Sequence, residues 1–143
     1  PRVLFLCTGN SCRSHMAEGW ARALHAERLE AVSAGTAPHG LDPRAVAVMA
    51  EAGVDIAHHV SKTVDACEPE RLDLVVTVCG HAHETCPAFP GTTRVIHVGF
   101  EDPPRLAAEA GEGADVLPAY RRVRDEIRAF VERLPEHLEH ALA

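Results

Sequence analysis

The sequence contains a single lysine, Lys62, no apolar run long enough to cross a membrane, and no excess of positive charge. A formal net charge of -7 excludes a non-specific binder of nucleic acid or of acidic membranes. It leaves room for a local pocket that takes a small anion. The longest apolar stretches, around Val3–Cys7 and Leu74–Thr77, fall far short of the ~18 residues of a span. The start, Pro1-Arg2-Val3-Leu4, lacks the shape of a signal peptide, so a cytoplasmic protein is expected. No internal repeat or low-complexity tract is visible. What is present is globular: 46% hydrophobic and 24% charged residues in a chain of 143, near the ~150 of one ordinary domain. The expectation is a single domain over 1–143, with about two-thirds of the unfolded surface buried. Five cysteines, an odd number, do not describe a disulfide scaffold. In a reducing compartment they point to catalysis, redox chemistry or metal binding.

Short apolar blocks alternate with helical patterns. Val3-Leu4-Phe5-Leu6 reads as a buried strand, Ala31-Val32-Ser33-Ala34 as a second ending at Gly35, Leu72 to Val78 as a third and Arg94 to Val98 as a fourth. Ala17, Trp20, Ala21 and Leu24 share one face of a helix from Ser14 to about Leu29. Asp42 can cap a second helix, with Pro43 in its first turn and Gly53 at its end. Val116, Tyr120, Val123, Ile127, Phe130 and Leu134 mark a final helix. This alternation implies βαβ units: an α/β fold with a central parallel sheet of about four strands flanked by helices. Ligands in such folds sit at the carboxyl ends of the strands.

Cys7-Thr8-Gly9-Asn10-Ser11-Cys12-Arg13-Ser14 lies at such an end and leads into a helix. Backbone N–H groups of a loop like this can converge on one anion, with the helix N-terminus adding positive potential. Arg13 offers a planar fork suited to a tetrahedral oxyanion. The same field favours the thiolate form of Cys7, a nucleophile. Ser14 can donate a hydrogen bond to it, and Asn10 can bond across the loop and hold its shape. A buried strand-end thiol beside a surface Arg is the plain alternative. The strand before, the Gly within and the Ser and helix after favour the cradle.

This octapeptide resembles the active-site loop of the low-molecular-weight protein tyrosine phosphatase superfamily. The resemblance implies that superfamily's fold and gives a general-acid role to Asp102, which is followed by Pro103 in Gly99-Phe100-Glu101-Asp102-Pro103. Glu101 is expected to be a solvated bystander. Within the superfamily the chain is similar to thioredoxin-coupled arsenate reductases. That likeness extends over Thr77-Val78-Cys79, Cys86-Pro87, Met16-Ala17-Glu18-Gly19-Trp20 and Arg122-Val123-Arg124-Asp125-Glu126-Ile127. It implies reduction of arsenate to arsenite by a relay from Cys7 to Cys79 to Cys86, with thioredoxin as electron donor; because arsenate and phosphate are near-isosteric, weak phosphatase activity is expected as a residual property. The alternative is a phosphatase acting on phosphotyrosine or small phosphomonoesters. Only 4% of residues are aromatic, and no aromatic cluster near the acid loop offers a wall for a tyrosine ring.

Further expectations follow from the resemblance. Thr8, Gly9, Asn10, Ser11, Cys12, Arg13 and Ser14 hold the anion, and Cys12 is a secondary thiol liable to pair with Cys7 under oxidation. Some relatives bind potassium beside the loop through an Asn, a Glu, a Ser and an Asp. Asn10, Glu18 and Ser33 match three of these, and the fourth position falls on Lys62. Its ammonium is expected to pair with Glu18 and replace the ion, so no bound potassium and no other cofactor is expected. Partners are an arsenate or phosphate oxyanion and thioredoxin, with no nucleic acid or membrane, and the chain is expected to be a monomer. The rival for the second cysteine pair is a zinc site from Cys79, His81, His83 and Cys86, although its spacing is odd for structural zinc. Arg105 to Ala114 is expected to be a mobile flap or surface loop. Cys67 has no pattern around it.

Overall fold

The computed structural model describes residues 1–84, 86–89, 91–111 and 115–143, without the side chains of His81 and His83. Four parallel strands form one sheet: β1 (Arg2–Cys7), β2 (Glu30–Gly35), β3 (Leu74–Thr77) and β4 (Arg94–His97), in the order β2-β1-β3-β4. The helices are α1 (Arg13–His25), α2 (Pro43–Glu51), α3 (Gly80–Glu84), α4 (Pro103–Ala110), α5 (Leu117–Glu132) and α6 (Leu134–Leu142). The fold is the α/β architecture expected from the alternating pattern.

The strands that read as continuous apolar runs are the central ones. All six residues of β1 and all four of β3 are buried, as parallel strands covered on both faces must be. Helix α1 is buried without interruption from Ser14 to Ala21, and it packs on α5. There the Trp20 indole N–H donates to the Arg124 carbonyl at 3.2 Å, and the Arg128 guanidinium lies 4.9 Å from the Trp20 ring centre. Asp42 caps α2 by accepting from the Arg44 N–H at 2.9 Å, as its place before Pro43 predicts. Its other oxygen accepts from the buried Tyr120 hydroxyl at 2.6 Å, which ties α2 to α5.

Two elements differ from the sequence expectation. Residues 103–110 are a helix, α4, whereas a flap was expected from 105 onward. Pro103 and Pro104 open it, because the first turn needs no donated N–H from them, and Pro103 and Ala107 bury one face. Residues 112–114 of the expected flap lie outside the described residues. The final helical pattern also divides: α5 ends at Glu132, and α6 begins with Pro135 in its first turn.

Chain order and spatial order part company between β1 and β3. From β1 the chain passes outward to β2, then returns across to β3 on the other side. Loops leaving the carboxyl ends of β1 and β3 therefore diverge around a crevice, the switch point where open α/β sheets bind ligands. The Val78 N–H donates to the Leu6 carbonyl at 2.9 Å, so Cys7 and Cys79 leave adjacent strand ends.

Candidate active site

Cys7 is the last residue of β1, and Arg13 the first of α1; the five residues between form the loop. Cys12 precedes the helix without a side-chain cap, so the first-turn N–H groups are left to another acceptor. Asn10 shapes the loop. Its backbone takes φ +43°, a left-handed conformation that Asn tolerates better than most residues, and its side chain is fully buried. Asn10 Nδ2 donates to Ser14 Oγ at 2.9 Å, and Asn10 Oδ1 accepts from the Lys62 backbone N–H at 2.8 Å. With its oxygen accepting from Asn10, Ser14 can aim its own proton at Cys7 Sγ, 2.9 Å away. The Cys7–Ser14 and Asn10–Ser14 contacts are both present in the geometry.

The loop lies against the segment that follows β2. Thr36, Ala37 and His39 donate backbone N–H groups to the carbonyls of Cys7, Thr8 and Gly9 at 3.2, 2.8 and 3.0 Å. Two glycines permit this closeness. A methyl on Gly35 would stand 2.5 Å from the Thr8 carbonyl oxygen, and one on Gly9 would stand 2.0 Å from His39 Nε2.

A cleft of about 290 Å³ opens over the loop, lined by Cys7, Thr8, Gly9, Cys12, Arg13, His39 and Asp102 among others. Arg13 Nη1 donates to the Phe100 carbonyl at 2.8 Å, and Nη2 stands 3.6 Å from Asp102 Oδ1. The guanidinium thus links the cradle to the acid loop and brings Asp102 to the cleft. Glu101 turns away to Arg122 at 3.1 Å and Arg105 at 4.0 Å, so it is ion-paired on the surface and not free in solvent. The Phe100 ring faces Phe130 on α5, with centres 6.1 Å apart.

All five cysteines are free thiols. Cys79 is buried just past β3, with Sγ 3.4 Å from Thr8 Oγ1 and accepting the Ala82 N–H at 3.3 Å. A second cleft, beside the first, is lined by Cys79, Thr8, Arg13, Phe100 and Asp102. Cys86 is half-buried, its thiol against the Pro87 carbonyl and pushed up in pKa by burial. Burial, then the nearby Asp42 and Asp102, pushes the Cys12 thiol well up, which keeps it neutral beside the nucleophile. Cys67 is buried, donates weakly to the Ser33 carbonyl at 3.5 Å, and is also pushed up by burial. The His81 and His83 side chains of the zinc alternative lie outside the described residues.

Glu18 and Ser33 meet as expected, but Lys62 does not join them. Its Nζ is exposed and donates to the Val60 carbonyl at 3.1 Å. The cationic partner of Glu18 is instead Arg22 at 3.0 Å, and His59 Nε2 lies 3.4 Å from the same oxygen. The other Glu18 oxygen accepts from Ser33 at 2.6 Å. His15 Nδ1 sits 3.1 Å from His59 Nδ1 and 3.2 Å from Ser33 Oγ. One set of protons satisfies these contacts: His59 donates from Nε2 to Glu18, and neutral His15 donates from Nδ1 to His59 and Ser33. Burial, with His59 beside it, depresses His15 to a pKa of about 4.

His15, Glu18 and His59 offer ligand atoms within 4.8 Å of one another, the one such cluster among the described residues. Most of their polar atoms are spent on each other, on Ser33 and on Arg22, while the buried His15 Nε2 has no hydrogen-bond partner among the described residues. The oxygen donors matched to a potassium site are engaged in the same way: Asn10 by Lys62, Ser33 by Glu18, and Glu18 by Arg22. Nothing in the sequence pattern singles out His15, His39 or His59; each becomes visible only when the chain is folded.

The family model for low molecular weight phosphotyrosine protein phosphatases matches residues 2–142. An arsenate reductase of Halalkalibacterium halodurans is 44% identical over 94% of this chain and 94% of its own. A solved arsenate reductase in the oxidized state superposes with a TM-score of 0.78 at 29% identity, covering 96% of this chain and 98% of that one. The low molecular weight protein tyrosine phosphatase of T. tengcongensis superposes with a TM-score of 0.73 at 28% identity, covering 95% and 98%. No helix among the described residues is long and apolar enough to cross a membrane. Fold, loop and matched length agree: the chain belongs to the low molecular weight phosphotyrosine protein phosphatase family.

Proposed function

We propose that this chain reduces arsenate to arsenite, with electrons from thioredoxin. The observation that carries this reading is the position of Cys79, a buried second thiol 3.4 Å from the Thr8 hydroxyl beside the nucleophile loop. Phosphate-ester hydrolysis has no use for it, whereas reduction does. The 44% identical relative is itself an arsenate reductase.

Arsenate binds to the backbone N–H groups of the loop and to the N–H groups of Arg13 that Phe100 does not hold. The Cys7 thiolate attacks arsenic and displaces one oxygen, which leaves as water with a proton from Asp102. Cys79 then attacks Cys7 Sγ. A sulfur–sulfur bond forms, and the sulfur–arsenic bond breaks with its electron pair passing to arsenic, so As(V) becomes As(III) and arsenite leaves. Cys86 attacks Cys79 and frees Cys7, moving the disulfide to Cys79–Cys86, where thioredoxin reduces it. Gly80 at the start of α3 is the backbone freedom this last exchange uses. The chain works without potassium, as a monomer in the cytoplasm.

The same cradle, with Cys7, Arg13 and Asp102, suffices for slow hydrolysis of phosphomonoesters, so a weak phosphatase activity accompanies reduction. Arsenate-dependent NADPH oxidation, coupled through thioredoxin and its reductase, separates the two. Cys7→Ser should abolish both activities. Cys79→Ser and Cys86→Ser should abolish arsenate turnover and spare phosphatase activity. Arsenate turnover that survives Cys79→Ser would remove the relay.

A further inference from the structure

One side chain at the mouth of the cleft has no part in these steps. His39 is exposed on the segment after β2, and its backbone N–H is fixed to the Gly9 carbonyl at 3.0 Å. Its ring edge rests on the loop: a methyl on Gly9 would overlap Nε2 at 2.0 Å, Cδ2 at 2.5 Å and Cε1 at 2.7 Å. Nε2 is the ring atom nearest to Gly9, and the ring lines the cleft together with Cys7 and Arg13. The segment is held by rungs from Thr36, Ala37 and His39 to three successive loop residues, which fix the His39 backbone beside the loop.

Charge in the cleft gives the ring a purpose. A dianionic oxyanion beside a Cys7 thiolate places three negative charges there, and Asp102 adds another when ionised. Arg13 is the one permanent cation lining the cleft, and it already binds the Phe100 carbonyl and approaches Asp102 at 3.6 Å. Other charged or titratable groups facing this region are Cys12 in the cleft, Asp42, held by Tyr120, and Lys62, turned to Val60. None of them supplies a second cation to the anion.

We propose that His39, as an imidazolium, is a second cationic ligand for the tetrahedral oxyanion, donating from Nε2 to an outer oxygen. It is a binding residue that strengthens affinity for dianions when it carries a charge. The proposal rests on the reading that the 7–14 loop binds a tetrahedral oxyanion, and is independent of the cysteine relay.

Sulfate is the probe, because it stays a dianion across this pH range and is neither reduced nor hydrolysed. Its dissociation constant is measured by calorimetry at about pH 5.5 and about pH 8.5. Relative to wild type, His39→Gln should weaken binding about tenfold at the lower pH and less than about twofold at the higher, the scale of one charge-assisted hydrogen bond. His39→Arg, which keeps a cation at both pH values, should restore affinity at both. An equal effect of His39→Gln at both pH values, no effect at the lower one, or an Arg variant as weak as the Gln variant would overturn the proposal. Wild type that fails to bind sulfate contradicts both this proposal and the cradle. His39-dependent sulfate binding in a protein without arsenate turnover would instead remove the reductase reading alone.

Discussion

Ser14 Oγ stands 2.9 Å from Cys7 Sγ and 2.9 Å from Asn10 Nδ2, so one hydroxyl joins the nucleophile to the residue that shapes its loop. Because Asn10 donates, the serine proton is free to go to sulfur. Ser14→Ala removes a hydrogen bond to a charged group, worth about 1.5–3 kcal/mol. Alkylation of Cys7 by iodoacetamide at neutral pH should slow about tenfold or more, with the far-ultraviolet spectrum unchanged.

Gly35→Ala would push a methyl to 2.5 Å from the Thr8 carbonyl and 2.8 Å from the Asn10 N–H, and both are backbone atoms. The β2 end and the cradle must separate to admit it, at the ~1–3 kcal/mol typical of overpacking. Chemical denaturation should report that loss, accompanied by weaker phosphate binding. Gly53→Ala, where a methyl meets nothing within 4 Å, should strain the positive-φ backbone and leave phosphate binding intact.

His15 is buried and neutral with a pKa of about 4, against an ordinary value of 6.5. The unfolded chain therefore binds a proton on this side chain at a pH where the folded chain does not. Its stabilising effect is complete above about pH 6.5 and is lost as the pH falls toward 4, up to ~3 kcal/mol. Urea midpoints followed from pH 7 to pH 4 should fall steeply in wild type and more gently in His15→Gln. Parallel curves would contradict this assignment.

Much of this site could be read from residue order, because its strongest signals are local. A strand, a loop with Gly and Asn, and an Arg-Ser pair opening a helix lie in eight consecutive residues. The Asp42-Pro43 cap is equally local. The misread parts depend on direction or distance. Counting places Lys62 at the matched position but does not say that its backbone, not its ammonium, faces Asn10. Helix α4 begins with two prolines and buries only Pro103 and Ala107, too little periodicity to distinguish it from a loop. His39 reaches the cleft through hydrogen bonds between segments some thirty residues apart, and no spacing rule encodes them.

The Lys62 ammonium bonds the Val60 carbonyl in an exposed position, and Glu18 is held by Arg22, Ser33 and His59. Lys62→Ala should therefore shift the melting temperature by no more than a surface substitution does, within about ±0.5 kcal/mol. Arg22→Ala, which leaves the buried Glu18 carboxylate short of its cation, should lower stability more. Titrating potassium into wild type should alter neither melting temperature nor turnover. A clear potassium stimulation would show that the engaged oxygens open to the ion.

The most direct test of the account is a single turnover by the fully reduced protein, given arsenate and no thioredoxin. One arsenite per chain should form, and peptide mapping should place one disulfide between Cys79 and Cys86 with Cys7 again free. Absence of arsenite, or arsenite formed with Cys79 and Cys86 both still reduced, would contradict it.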